Sequence, residues 1–143
     1  MKLVGYMRVL TAHQSPEQAF EDHEKRLSEY CMAAGHDLVA HGETAGGNNL
    51  GERPGLYMAL GQCMLDPDCD GLIVVDLGEL SQNMQDLKLI LNVLAVNNRQ
   101  FIAINQGIDT SDPESQSPSR LEAHFQRLEE NKVVPIGLKN RGS

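Results

Sequence analysis

The sequence predicts an α/β domain in three layers, with a four- to five-stranded, mainly parallel sheet flanked by helices. Three observations carry that expectation. Short apolar runs alternate along the chain with longer amphipathic segments, the order that joins parallel strands through helical crossovers. One run, Gly71-Leu72-Ile73-Val74-Val75, is almost continuously apolar, as a strand covered on both faces must be. The composition is 41% hydrophobic but only 4% aromatic, without Trp, so the core is built from Leu, Ile, Val, Ala and Met. At 143 residues the chain has the size of one domain, residues 1–143, able to bury about two thirds of its unfolded surface.

Taken in order, Lys2 to Met7 is a first strand, bounded by a polar loop. Ser15 is a natural helix cap, and Pro16 is tolerated at the first helical position. Phe20, Leu27, Tyr30 and Cys31 then recur at helical spacing among Glu21, Asp22, Glu24, Lys25 and Arg26, giving an amphipathic helix from about residue 16 to 34, closed by Gly35. Asp37 to His41 is a second strand. Gly42 to Glu52, rich in Gly and Asn, reads as a loop, either plain surface or a flap over a site. Arg53-Pro54-Gly55-Leu56 opens a second helix with Leu56, Leu60, Cys63 and Met64 on one side.

The run from Asp70 to Asp76 is the clearest strand, and its carboxyl end delivers Leu77-Gly78-Glu79-Leu80-Ser81-Gln82-Asn83. A long helix follows, with Leu80, Met84, Leu87, Leu91 and Leu94 inward. Gln100 to Ile104 is a fourth strand. Asp112 to Ser119, rich in Pro and Ser, reads as a linker, and a short helix from about Arg120 to Asn131 carries Leu121, Phe125 and Leu128 on its apolar side. Val133 to Ile136 suggests one more strand, before a frayed end from Lys139 to Ser143.

Twelve basic against twenty acidic residues give a formal charge of −8, which repels a polyanion and disfavours DNA as a direct partner. No apolar run reaches the length of a membrane span and no signal peptide is evident, so a cytoplasmic protein is expected. Cys31, Cys63 and Cys69 have no CxxC spacing and read as small apolar packing groups. His13, His23, His36, His41 and His124 show no ligand spacing; neither metal nor cofactor is expected.

Ligands of α/β sheets sit beyond the carboxyl ends of the strands, which directs attention to Tyr6-Met7-Arg8-Val9-Leu10-Thr11-Ala12-His13-Gln14. Arg8 and Gln14 have the donors to hold a phosphate or carboxylate, with no obvious nucleophile between them. This stretch resembles the opening motif of the serine recombinases, the resolvases and DNA invertases, which reads Y-x-R-V-S-T-x-x-Q. Arg53-Pro54-Gly55-Leu56 is similar to the family's R-P-G-L. Leu77, Leu80, Ser81 and Asn83 align with its L-D-R-L-S-R-N, and Ile108-Asp109-Thr110-Ser111 with its I-D-T-S. The likeness runs from about residue 2 to 115 and implies the family's catalytic-domain fold. Beyond residue 118 it fades, with the family's long helix expected to be cut to about three turns and no helix-turn-helix domain to follow.

The resemblance also implies what is missing. The family's serine attacks a DNA phosphodiester while arginines stabilise the developing charge. At the serine's place stands Leu10; the third motif's acid is replaced by Gly78 and its two arginines by Glu79 and Gln82; Ala45, Gly46 and Gly47 lie where a loop serine would be. Thr11, on the opposite face of an extended segment, and Ser81, matching a non-nucleophilic serine, are poor substitutes. Arg8 and Arg53 either keep residual anion binding or are retained structurally, paired with Glu43, Glu79 or Asp76.

The expectation is therefore a catalytically inactive, recombinase-like domain that serves as a protein-interaction or regulatory module, self-associating or binding another protein, with Leu121, Phe125 and Leu128 as a candidate contact surface. Two alternatives stay open. One is a DNA-binding accessory or regulator of site-specific recombination; the other is an unrelated hydrolase using Asp76, Glu79 or His13 beside Arg8.

Overall fold

In the computed structural model, residues 1–9, 15–44 and 53–142 are described, with side chains through residue 130. Five strands form one sheet in the order β2-β1-β3-β4-β5: β1 Lys2–Val9, β2 Asp37–Thr44, β3 Gly71–Val74, β4 Gln100–Ala103 and β5 Ile108–Asp109. The first four are parallel and β5 runs antiparallel to β4. The three-layer α/β architecture thus matches the sequence expectation, with four helices: α1 Pro16–Ala34, α2 Pro54–Leu65, α3 Met84–Val96 and α4 Ser117–Gly142.

Alternation along β1 divides the core between two faces. Leu3 and Met7 pack with Leu27 and Cys31 of α1, while Val4 and Tyr6 pack on the other face with Leu56 and Cys63 of α2 and Leu87, Ile90 and Leu94 of α3. The caps of α1 follow from local chemistry. Ser15 accepts the N–H of Gln18, and Gly35 adopts a φ of 76°, letting the N–H of His36 reach back to the carbonyl of Cys31 at 2.7 Å. In the middle of the sheet Gly71 brings β3 against β4 so closely that a Cβ there would collide with the backbone of Gln100.

Several boundaries differ from the sequence reading. β2 continues through Gly42, Glu43 and Thr44, because pairing with Met7, Arg8 and Val9 satisfies backbone groups that a glycine-rich composition alone suggested were loop. Leu80 precedes α3 rather than belonging to it, since residues Leu77–Glu79 form a turn of 3-10 helix and α3 starts only after the Asn83 cap. The supposed linker from Asp112 holds a second 3-10 turn, Pro113–Ser115, and α4 begins at Ser117.

The largest correction concerns α4. It is a helix of 26 residues, not about three turns, and Val133 to Ile136 continue its backbone instead of adding a strand. The run holds three β-branched residues, which suit a strand, and Pro135, which lacks the N–H that either a strand ladder or a helix would use, so its sequence does not decide between the two. At the near end of α4, Leu121, Phe125 and Leu128 are half-buried against the core under α3, with Lys88 Nζ 5.0 Å from the centre of the Phe125 ring. The side chains expected as an intermolecular surface are thus spent in part on the domain's own core.

Candidate functional site

The strand order reverses at β1, whose neighbours are β2 on one side and β3 on the other. The crevice beyond the carboxyl ends of β1 and β3 is the switch point at which such sheets bind ligands. β1 ends there with Arg8 and Val9, and β3 runs into Asp76 and the 3-10 turn that carries Gly78 and Glu79. α2 opens at the same end of the sheet, directly after Arg53.

Glu79 ties this end together. Its Oε1 accepts the N–H of Asp76 at 2.9 Å and its Oε2 accepts the N–H of Arg8 at 3.1 Å, while Asp76 Oδ1 accepts the N–H of Gly78 at 2.8 Å. Asp76 and Glu79 thereby form a reciprocal cap on the turn, and Glu79 also fastens β1 to β3. From α1, His23 Nε2 lies 3.2 Å from Glu79 Oε2. That hydrogen bond raises the pKa of the imidazole above its ordinary value despite partial burial. For Asp76, burial favours the protonated acid, but hydrogen bonds from Asn105, Gly78 and Gln106 together hold its pKa below the usual carboxylate range.

Arg53 is 2% exposed and turned into the protein. One terminal nitrogen donates to the carbonyl of Leu80, the other to the carbonyl of Glu79 and, at 2.7 Å, to the hydroxyl of Tyr6. The guanidinium carbon lies 5.3 Å from the Tyr6 ring centre, and Nε is 3.8 Å from Glu43 Oε2. Glu43, at the end of β2, accepts the hydroxyl proton of Tyr6 and the backbone N–H groups of Gly55 at 2.9 Å and Leu56 at 3.2 Å. Its carboxylate closes the N-terminus of α2, where the Arg53 side chain makes no cap of its own. Burial first, then the hydrogen bond to Glu43, pushes the Tyr6 phenol above its ordinary pKa.

The structure therefore brings Arg8, Asp76, Gly78 and Glu79 together and sets Arg53 beside them through the carbonyl of Glu79. Gln82 is exposed beyond the turn, and Ser81 is buried, its hydroxyl accepting the N–H of Asn83. Leu10, Thr11, His13 and Gln14, like Ala45, Gly46 and Gly47, lie outside the described residues. Tyr6 and His23 were not singled out from the sequence as site residues. The spacing Asp76-x-x-Glu79 carried a readable capping signal, whereas nothing local marks His23 as the partner of a carboxylate fifty-six positions away, 79 less 23.

Among the described residues no group of three or more His, Cys, Asp or Glu is placed to hold a metal ion, and no helix is long and apolar enough to cross a membrane. The three cysteines are buried free thiols.

A mainly parallel sheet in the order 2-1-3-4-5, with its switch point at β1, is a doubly wound α/β architecture. The family model described as the resolvase N-terminal domain matches residues 3–134, and the chain belongs to that family. Among solved structures, it is similar to the N-terminal catalytic domain of TP901-1 integrase, with a TM-score of 0.67 and 22% identity over 96% of this chain and 98% of that one. A resolvase family site-specific recombinase from Streptococcus pneumoniae gives a TM-score of 0.67 at 17% identity, covering 99% of this chain and 98% of that one. The C-terminal catalytic domain of ISC1926 TnpA, an IS607-like serine recombinase, gives 0.62 at 20% identity over 73% and 70% of the two chains. No curated protein matches the sequence.

Proposed function

We propose that this serine-recombinase-like domain has lost DNA strand cleavage and acts as a protein-interaction or regulatory module that self-associates. The observation that carries the reading is the inward commitment of the site: Arg53 serves Leu80, Glu79 and Tyr6, and two carboxylates, Glu43 and Glu79, take backbone donors at the strand and helix ends. A phosphate seated there would meet those carboxylates, and one such like-charge pair at 4 Å costs about 4 kcal/mol at an effective dielectric of 20. Leu10 at the serine's place removes the nucleophile as well.

The interaction role draws support from the helical faces. Leu89, Val93 and Val96 form a solvent-facing apolar stripe on α3, and α4, at about 1.5 Å per residue, is long enough to reach well past the sheet. The test is light scattering of the purified protein, alone and with a fluorescent duplex DNA at low and moderate salt, plus a denaturing-gel assay for a covalent protein–DNA adduct. A dimer or larger assembly indifferent to DNA, with no adduct, is the expected result. A DNA complex that weakens steeply with salt would replace this reading by a DNA-binding accessory role, and an adduct would overturn the loss of cleavage.

A further inference from the structure

At the opposite end of the sheet from the Arg8 site, the sulfur atoms of Cys63 and Cys69 lie 3.4 Å apart. The geometry assigns to this pair a reversible dithiol–disulfide site that takes a hydroperoxide as oxidant and staples the last turn of α2 to the start of β3. Closure shortens the sulfur–sulfur distance by about 1.4 Å, to the covalent length of about 2.05 Å. The intervening turn holds the two residues close: the N–H of Cys69 donates to the carbonyl of Asp66 at 3.1 Å, and the N–H of Asp68 to Asp66 Oδ1 at 2.9 Å. Arg99 clamps the helix end, its Nε donating to the carbonyl of Cys63 at 2.7 Å and Nη2 to those of Met64 and Asp66. Cys31 packs in the other core, across the sheet under α1, and is excluded from the pair.

The chemistry balances with hydrogen peroxide. One thiol, as thiolate, attacks a peroxide oxygen and becomes a sulfenic acid, releasing one water; the second thiol displaces that hydroxyl as a second water and forms the sulfur–sulfur bond. Two thiols thus lose two electrons and two protons, and one peroxide gains them. Burial raises the pKa of the Cys63 thiol, which keeps thiolate scarce, so the reaction is slow at neutral pH and accelerates as pH rises.

The full-length protein is treated with hydrogen peroxide, its remaining thiols are alkylated in denaturant, and the product is read by mass spectrometry. The expected product carries one alkyl group, on Cys31, instead of three, and its unalkylated mass falls by about 2 Da. Cleavage at Asp66 and Asp68 separates the Cys63 and Cys69 peptides, which stay joined until dithiothreitol is added. The oxidised protein melts at a higher temperature than the reduced one. Three alkylated cysteines, a bond that includes Cys31, or links between molecules only would overturn the site; an unchanged melting temperature would overturn the staple. Cys63→Ala and Cys69→Ala each abolish the link, and the wild-type mapping decides the matter should either fail to fold.

Discussion

Glu43 Oε1 accepts the backbone N–H of Gly55 at 2.9 Å, so that a carboxylate from the end of β2 sits on the open N-terminus of α2. The same side chain lies against the buried guanidinium of Arg53 and accepts the Tyr6 hydroxyl. The helix end therefore carries an anion of its own at the place where helix N-termini attract external ones.

Removing that anion leaves helix N–H groups and a buried guanidinium short of a partner. Glu43→Ala is expected to lower the stability to urea by about 3 kcal/mol, combining a lost cap with a broken buried ion pair. Glu43→Gln retains an acceptor oxygen and should lose about half as much. Equilibrium urea denaturation checks both; equal losses would show that the charge, and not the hydrogen bonding, dominates.

The pairing of His23 with Glu79 predicts a pH dependence. Because the folded-state pKa of His23 is raised, the native state binds the proton more tightly than the unfolded chain does. The pair's contribution is fully present below the unfolded value of about 6.5 and is lost as pH rises through the folded value. His124 works in the opposite direction: burial first, then Arg127, lowers its pKa, so its contribution is present above the unfolded value and fades as pH falls through the folded one. The difference between wild type and His23→Gln isolates the first effect. Urea midpoints from pH 5.5 to 8.5 should show the wild type's advantage shrinking with rising pH, while a constant difference would count against the ion pair.

Much of the fold was legible because it is written in local chemistry. Ser15-Pro16 and Gly35 bracket α1 through a side-chain cap and a left-handed residue, and the apolar run before Val75 has no other comfortable place than mid-sheet. The length of α4 was not legible, since Pro135 and Gly137 read as helix-ending residues and the β-branched pair Val133-Val134 suits either helix or strand. At the site, the sequence placed Arg8, Arg53 and Glu79 in one region by resemblance. It did not reveal that Arg53 turns inward to Tyr6 and the carbonyls of Glu79 and Leu80, because that choice depends on tertiary placement of β1 against the Leu77 turn.

Arg99 predicts a helix-end effect. Its guanidinium serves the carbonyls of Cys63, Met64 and Asp66, supplying both hydrogen bonds and a positive charge where the dipole of α2 is negative. Arg99→Ala is expected to cost about 2 kcal/mol in urea denaturation and to accelerate amide hydrogen exchange in the last turn of α2 ahead of the rest of the helix. Arg99→Lys keeps the charge but not the fork, and should recover only part of the loss.

Gly71 makes the most severe prediction because nothing around it can yield. A Cβ at this position meets the backbone of Gln100, the residue beside it in the β3–β4 register, and not the tip of a movable side chain. Relief would require the two central strands to part and their ladder hydrogen bonds to lengthen. Gly71→Ala is therefore expected to cost about 3 kcal/mol or more, a large share of the roughly 5 to 15 kcal/mol that holds a small domain folded. Gly61→Ala is the matched control, since its Cβ would meet nothing within 4 Å and alanine favours the helix it occupies. Circular-dichroism melts of the two variants should move in opposite directions from wild type, and a Gly71→Ala melt close to wild type would show that the strands are less tightly apposed than their register implies.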